Sequence, residues 1–178
     1  MKVKDFFKSK TFKCVLVLLV IALISGGLLS VFSDVLSVSE EERTMRAIKS
    51  VYGSEVAYET VFDYETATAD FTSTETGYVE KVYLLADGNY LMKATGKNGY
   101  KNGTITVWAI VSAGSDARIT SLSIASYDKQ TLMSKFDAGT VDKAKDSDVV
   151  VSGATYSSKA LNNAVSAIKY YVTNVIAA

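Results

Sequence analysis

"GNYLMKATGKNGYKNGTITVWAIVS", residues 88–112, decides the fold. With Asp87 just before it, Gly88-Asn89 is a strong hairpin-turn signal, and the segments on either side are strand-like. "VEKVYLLA" (79–86) enters the turn and "YLMKAT" (90–95) leaves it. "TITVWAIVS" (104–112) is rich in β-branched and aromatic residues, and "ITSLSIAS" (119–126) alternates strictly. These runs predict an antiparallel sheet of about four strands with one face buried. Between the second and third lies "GKNGYKNG" (96–103), rich in glycine and asparagine. Such a loop allows close backbone approach to a ligand, but a strand follows it where a nucleotide fingerprint needs a helix. A long hairpin loop is the commoner use.

Upstream, residues 54–76 have weak periodicity and read as a strand or two with loops. "SVSEEERTMRAIKSVYG" (37–53) reads as a helix. Ser39 and Glu42 form a capping box, Met45, Ile48 and Tyr52 an apolar stripe, and Gly53 the stop. Its three acids suit the positive end of the helix dipole. Downstream, "KQTLMSKF" (129–136) fits a short helix or a loop crossing the sheet. Valines 149–151 read as the end of a buried strand. Leu161, Ala164, Val165, Ile168, Val172 and Ile176 then recur at helical spacing, so a closing helix should cover the apolar face of the sheet.

The N-terminus adds a second signal. "CVLVLLVIALISGGLLSVFS" (14–33) carries no charge, follows five lysines and one aspartate, and precedes Asp34 and Glu40–Glu42. That pattern predicts a transmembrane helix with the N-terminus cytoplasmic and the rest outside the cytoplasmic membrane, a single-pass arrangement. A cleaved signal peptide is the rival, with Ser25 and Gly27 as small residues at a cleavage site. Cys14 reads as a buried, inert thiol. The expected fold is therefore α+β: one N-terminal transmembrane helix, then an antiparallel sheet flanked by helices. Its parts are a basic tail (1–13), the span (14–33), an acidic helix and entry segment (34–76), and an α+β domain (77–178).

Composition excludes much chemistry. The chain has no His and one Cys, which removes a Ser–His–Asp triad, a Cys/His zinc site and a Cys-ligated iron–sulfur cluster. No catalytic residue and no metal ligand stand out. Any redox chemistry would need an organic cofactor. Without the tail's five Lys and one Asp, 14 basic and 18 acidic residues remain, a balance that argues against a nucleic-acid partner. The eleven tyrosines, the seven phenylalanines and Trp108 include rings able to sandwich a flavin, although each is also an ordinary sheet residue.

"DSDVVVSGATYSS" (146–158) sets hydroxyls at 152, 155, 157 and 158 around one helix start, with Gly153 and Ala154 leaving room beside them. Two uses fit: simple N-capping by Ser or Thr, and a phosphate held by free amides at the positive end of a helix. The segment "SGATYSS" resembles the flavinylation motif of the extracytoplasmic FMN-binding domain, found in the G subunit of Rnf complexes and the C subunit of sodium-pumping NADH:quinone reductases (Nqr). The N-terminal apolar helix, the acidic helix and the 88–112 region occur in the same order in that family. The resemblance implies FMN joined by a phosphoester to Thr155, installed by a flavin transferase of the ApbE type. It also implies electron relay among the other subunits of a membrane redox complex. Ser152, Gly153, Ala154, Ser157 and Ser158 would then surround the attachment point, and Thr131 and Leu132 would lie near the ring. A stand-alone extracytoplasmic electron-transfer flavoprotein, or a cofactor-free binding module of the same fold, are the alternatives. Two positions depart from the pattern. The acid that the transferase recognises stands at Asp148, one residue before the place the motif assigns it, where Val149 is found. The Pro and Gly residues of the family's ring-side loop are missing from "QTLMSKF".

Overall fold

The computed structural model of the protein describes residues 10–36, 39–66 and 73–177. Most of the basic tail, and the middle of the entry segment at 67–72, lie outside the described residues. The chain divides into two compact units, Met1–Arg43 and Thr44–Ala178.

The first unit contains helix α1 (Lys10–Leu36). Its described side chains, 14–27, project outward on all sides, from Val15 to Ile24. Among the described residues no helix is long and apolar enough to cross a membrane. This finding corrects the expected transmembrane helix at 14–33 and the single-pass localisation drawn from it. Cys14 is exposed and not buried.

Helix α2 (Glu40–Tyr52) begins as its sequence predicts, with the Glu42 amide donating to Ser39 Oγ at 3.1 Å. From Thr44 onward it belongs to the second unit. Gly53, at φ +89°, ends it in the left-handed conformation that glycine adopts without penalty.

The rest of the second unit is α+β. Its strands are β1 (Tyr58–Asp63), β2 (Ser73–Thr74), β3 (Gly77–Leu85), β4 (Tyr90–Gly96), β5 (Ile105–Val111) and β6 (Ile119–Tyr127). Neighbours pair antiparallel in the order β1-β3-β4-β5-β6, and β2 pairs β3 off this path. The expected strands are thus present, and the weak 54–76 segment supplies β1 and β2. Two helices follow: α3 (Ala138–Lys143), capped by the Asp137 carboxylate, and α4 (Thr155–Tyr171). The sequence reading missed α3, whose single turn and a half carries too little periodicity to register.

Both faces of the central strands are buried, which corrects the one-face expectation. Alternation along β4 and β5 sends Met92, Ala94, Ile105, Val107 and Ala109 to one face, where Leu161, Ala164, Val165 and Ile168 of α4 cover them. Leu91 and Ile110 point the other way and pack with Tyr83, Leu85 and Ile48 of α2. Burying a side chain such as Ile48 contributes about 1.5–3 kcal/mol. Beyond the reach of this cluster the second face is polar: Thr95 hydrogen-bonds Thr106 and Glu80, and Glu80 pairs Lys93 at 2.8 Å.

Helix α4 lies unusually close to the sheet because two glycines face each other across β3 and β4, Gly77 opposite Gly96. A Cβ on Gly96 would sit 1.9 Å from the Ala160 carbonyl oxygen and 2.4 Å from the Ala164 nitrogen. On Gly77 it would meet the Asn163 carbonyl oxygen at 2.6 Å. Only a backbone without Cβ fits at either position.

Tyr52, expected in the apolar stripe, is instead exposed and donates its phenol to Asp87 in the β3–β4 turn, joining α2 to the hairpin. That bond holds the Asp87 carboxyl below its usual range, and it raises the Tyr52 phenol. A depressed carboxylate stabilises the fold above its unfolded value, and the contribution is lost as pH falls through the folded value. The raised phenol contributes below its unfolded value and loses that contribution as pH rises through the folded one. Replacing Tyr52 by Phe should therefore flatten both the acid and the alkaline limbs of stability against pH. Thermal melts of the two proteins from pH 3 to 11 check this.

Candidate functional site

The start of α4 gathers most of the positions singled out by the sequence. The segment 149–151 leads into it but is not a strand, which corrects the buried-strand reading. Val149 and Val151 pack on the core while Val150 is 73% exposed. The in–out alternation of a strand is present without a ladder, because α4 side chains satisfy the backbone. Asn162 donates to the Val149 carbonyl at 3.0 Å and accepts from its amide at 3.1 Å. Ser158 Oγ accepts from the Val151 amide at 2.9 Å.

Gly153 then turns the chain at φ +78°, and Ala154 is the N-cap residue, with no side chain capping the helix. The first helical bond runs from the Ser158 amide to the Ala154 carbonyl. The amides of Thr155, Tyr156 and Ser157 precede it, at the positive end of the helix. Simple capping by Ser or Thr is therefore not what these hydroxyls do here. Ser157 and Ser158 are both 1% exposed. Ser157 donates to Gln130 Oε1 at 2.9 Å, and Ser158 donates back to the Ala154 carbonyl at 3.1 Å. Thr155 is exposed, as are Ser152, Gly153 and Asp148.

Two loops from the sheet flank this start. Gln130 ties them together. Its Oε1 accepts from the Tyr100 amide at 3.0 Å as well as from Ser157, and its Nε2 donates to the Asp128 carbonyl at 2.8 Å. The glycines of 96–103 serve this packing. A Cβ on Gly103 would lie 2.1 Å from the Asp128 carbonyl oxygen, and one on Gly99 would lie 2.5 Å from the Gln130 amide nitrogen. The glycine-rich loop is thus fitted to its neighbour, the commoner of its two expected uses. Among the described residues, the non-glycine positions with positive φ all fall in these two loops: Asn98, Lys101, Asn102, Lys129 and Leu132. Each left-handed residue costs about 1–2 kcal/mol, and such conformations persist where surrounding packing over-determines them.

Thr131 and Leu132 are exposed, and Leu132 Cδ1 lies 3.8 Å from where a Gly153 Cβ would stand. Lys135 donates from Nζ to the Ser152 carbonyl at 2.9 Å and lies 3.3 Å from the same Cβ position. Exposed Leu132, Val150 and Tyr156 therefore come from the segments that frame the Thr155 turn. Sequence reasoning missed Gln130, Lys135, Val150 and Tyr156. Tyr156 lay inside the quoted motif, just before buried Ser157 and Ser158; nothing in the pattern distinguished Gln130 or Lys135. Among the described residues, no group of three or more His, Cys, Asp or Glu is placed to hold a metal ion. No family model, no curated protein and no solved structure matches this chain.

Proposed function

We propose that this protein is a flavoprotein carrying FMN through a phosphoester on Thr155, and that it relays electrons within a redox complex of the Rnf or Nqr kind. The observation that carries the reading is the exposed Thr155 at the first position of a helix that no side chain caps. The residues present fit a phosphoester. Gly153 and buried Ala154 keep the turn small, and the amides of Thr155, Tyr156 and Ser157 face the site with the positive helix end behind them. Lys135, held at the Ser152 carbonyl, supplies a nearby positive charge. Leu132, Val150 and Tyr156 offer apolar surface to a flat heteroaromatic ring.

Buried Ser157 and Ser158 support the turn from beneath, through their bonds to Gln130, Val151 and Ala154, and do not reach toward solvent. Asp148 is exposed before the turn, where a flavin transferase of the ApbE type would meet it. FMN would supply the one- and two-electron redox chemistry that a chain without His, and with a single Cys, does not. The chain's own task is to hold, orient and shield it.

Coexpression with such a transferase, followed by a denaturing gel viewed under ultraviolet light, tests the reading. A fluorescent band is expected for the native chain, background fluorescence for Thr155→Ala, and a retained band for Ser152→Ala. A dark native band would sink the proposal and leave the cofactor-free module. A bright Thr155→Ala band would move the attachment elsewhere.

A further inference from the structure

A second site lies at the opposite end of α4. A cavity of about 180 Å³ opens between the 113–118 loop, the end of α3 and the end of α4, lined by Arg118, Lys145, Asp146, Lys169, Val172 and Thr173 among others. Lys169 is fourteen residues beyond Thr155, roughly 21 Å along the helix, so this cavity is separate from the flavin turn.

The cations come from three distant parts of the chain and are unequally engaged. Lys145 is fixed: its Nζ pairs Asp142 Oδ2 at 2.6 Å and donates to the Thr120 carbonyl at 3.2 Å. Its charge is balanced. Arg118 is anchored by its backbone, whose amide donates to Ser112 Oγ at 3.1 Å and whose carbonyl accepts from the Ser112 amide at 2.9 Å. Neither the Arg118 guanidinium nor the Lys169 ammonium forms an ion pair among the described residues. Asp146 alone opposes them within the lining.

Basic groups near a helix C-terminus complement the dipole, but here that role is partly filled. Thr173 Oγ1 donates to the Lys169 carbonyl at 2.9 Å and Asn174 Nδ2 to the Tyr170 carbonyl at 2.7 Å, so side chains already satisfy two of the last carbonyls. What remains is the guanidinium of a residue anchored by its backbone and an ammonium, around a space large enough for a small oxyanion, with a net positive lining. A planar guanidinium binds carboxylate and phosphate oxygens in a fork, and an ammonium adds a point charge.

We propose that this cavity binds a phosphoryl group, as free phosphate or as the head of a small phosphate monoester, through Arg118 and Lys169. Lys145 forms a fixed wall and Asp146 sets an upper limit on affinity by repulsion.

Calorimetric titration of the full chain with inorganic phosphate, and separately with glycerol 3-phosphate, at constant ionic strength tests this. Saturable binding is expected, with at least a tenfold loss in the double variant Arg118→Gln/Lys169→Gln. Asp146→Asn should tighten binding severalfold, an effect that general loss of structure cannot mimic. Lys101→Gln, a change of the same charge on a distant loop, should leave binding unaltered. Tighter binding of glycerol 3-phosphate than of phosphate identifies a monoester as the ligand, and the reverse identifies the free ion. No saturable binding by the native chain overturns the proposal. So does an equal loss in Lys101→Gln, or an unchanged affinity in the double variant, which would put the anion at the start of α4. The loss in the double variant and the gain in Asp146→Asn are read at this end of α4 and do not depend on whether Thr155 carries flavin.

Discussion

Gly96→Ala is expected to lower the stability of the protein by about 3 kcal/mol, near the upper end for overpacking. The added methyl meets backbone atoms of α4 on two residues, the Ala160 oxygen and the Ala164 nitrogen. Backbone cannot turn away as a side chain can, so the helix must lift from β4 or the strand must bend. Either movement opens contacts around Met92, Ala94, Leu161 and Val165, which are almost wholly buried. Urea denaturation should show a lower midpoint with an unchanged slope. Gly139→Ala is the control. Its Cβ meets nothing nearer than an Asp137 carboxylate oxygen at 3.6 Å, and alanine favours the short helix α3. Equal midpoints for Gly96→Ala and Gly139→Ala would show that α4 does not depend on the glycine.

The second large effect is expected at Gln130. Gln130→Leu removes the acceptor for the Tyr100 amide and the Ser157 hydroxyl, and the donor to the Asp128 carbonyl. Ser157 is almost wholly buried and keeps only a longer approach to the Thr131 carbonyl at 3.4 Å. Leaving such groups unpaired costs about 1–3 kcal/mol each, so a loss of about 2 kcal/mol or more is expected. Gln130→Glu separates the contributions. A carboxylate still accepts from Tyr100 and Ser157 but cannot donate to Asp128, so an intermediate loss is expected. Hydrogen exchange should also quicken at Tyr100 and across the first turn of α4 in the leucine variant. If Leu and Glu behave alike, the acceptor bonds carry none of the stability.

The strands and the closing helix were legible because their periodicity is long and regular. The five apolar positions from Leu161 to Val172 are all buried, as their spacing requires. Ser39 and Gly53 punctuate α2 as sequence rules expect. Valines 149–151 misled because a chain pinned by α4 side chains alternates in and out much as a strand does. Alternation reports which side chains are buried, not what satisfies the amides. The second buried face escaped notice for a related reason. Lys93, Thr95 and Thr106 interrupt the apolar run in β4 and β5, and their burial depends on Glu80 and on one another. At the candidate site the motif marked Thr155 and the turn around it. Gln130 and Lys135 reach that turn across more than fifteen residues of chain, and no local pattern carries such a contact.

The facing glycines of β3 and β4 also act as a locating notch. A helix resting on a uniform layer of side chains can slide along its axis and trade one set of contacts for another of similar worth. Here Ala160, Asn163 and Ala164 meet the one place where methyl groups are missing from the sheet, and a shift of a single turn would drive backbone into Cβ atoms. The axial position of α4 is thereby indexed to the sheet. Thr155 stands five residues ahead of Ala160, so the overhang of the helix start is fixed at roughly 7.5 Å. Whatever chemistry the Thr155 hydroxyl takes part in, its place is set by two absent side chains where β3 begins and β4 ends.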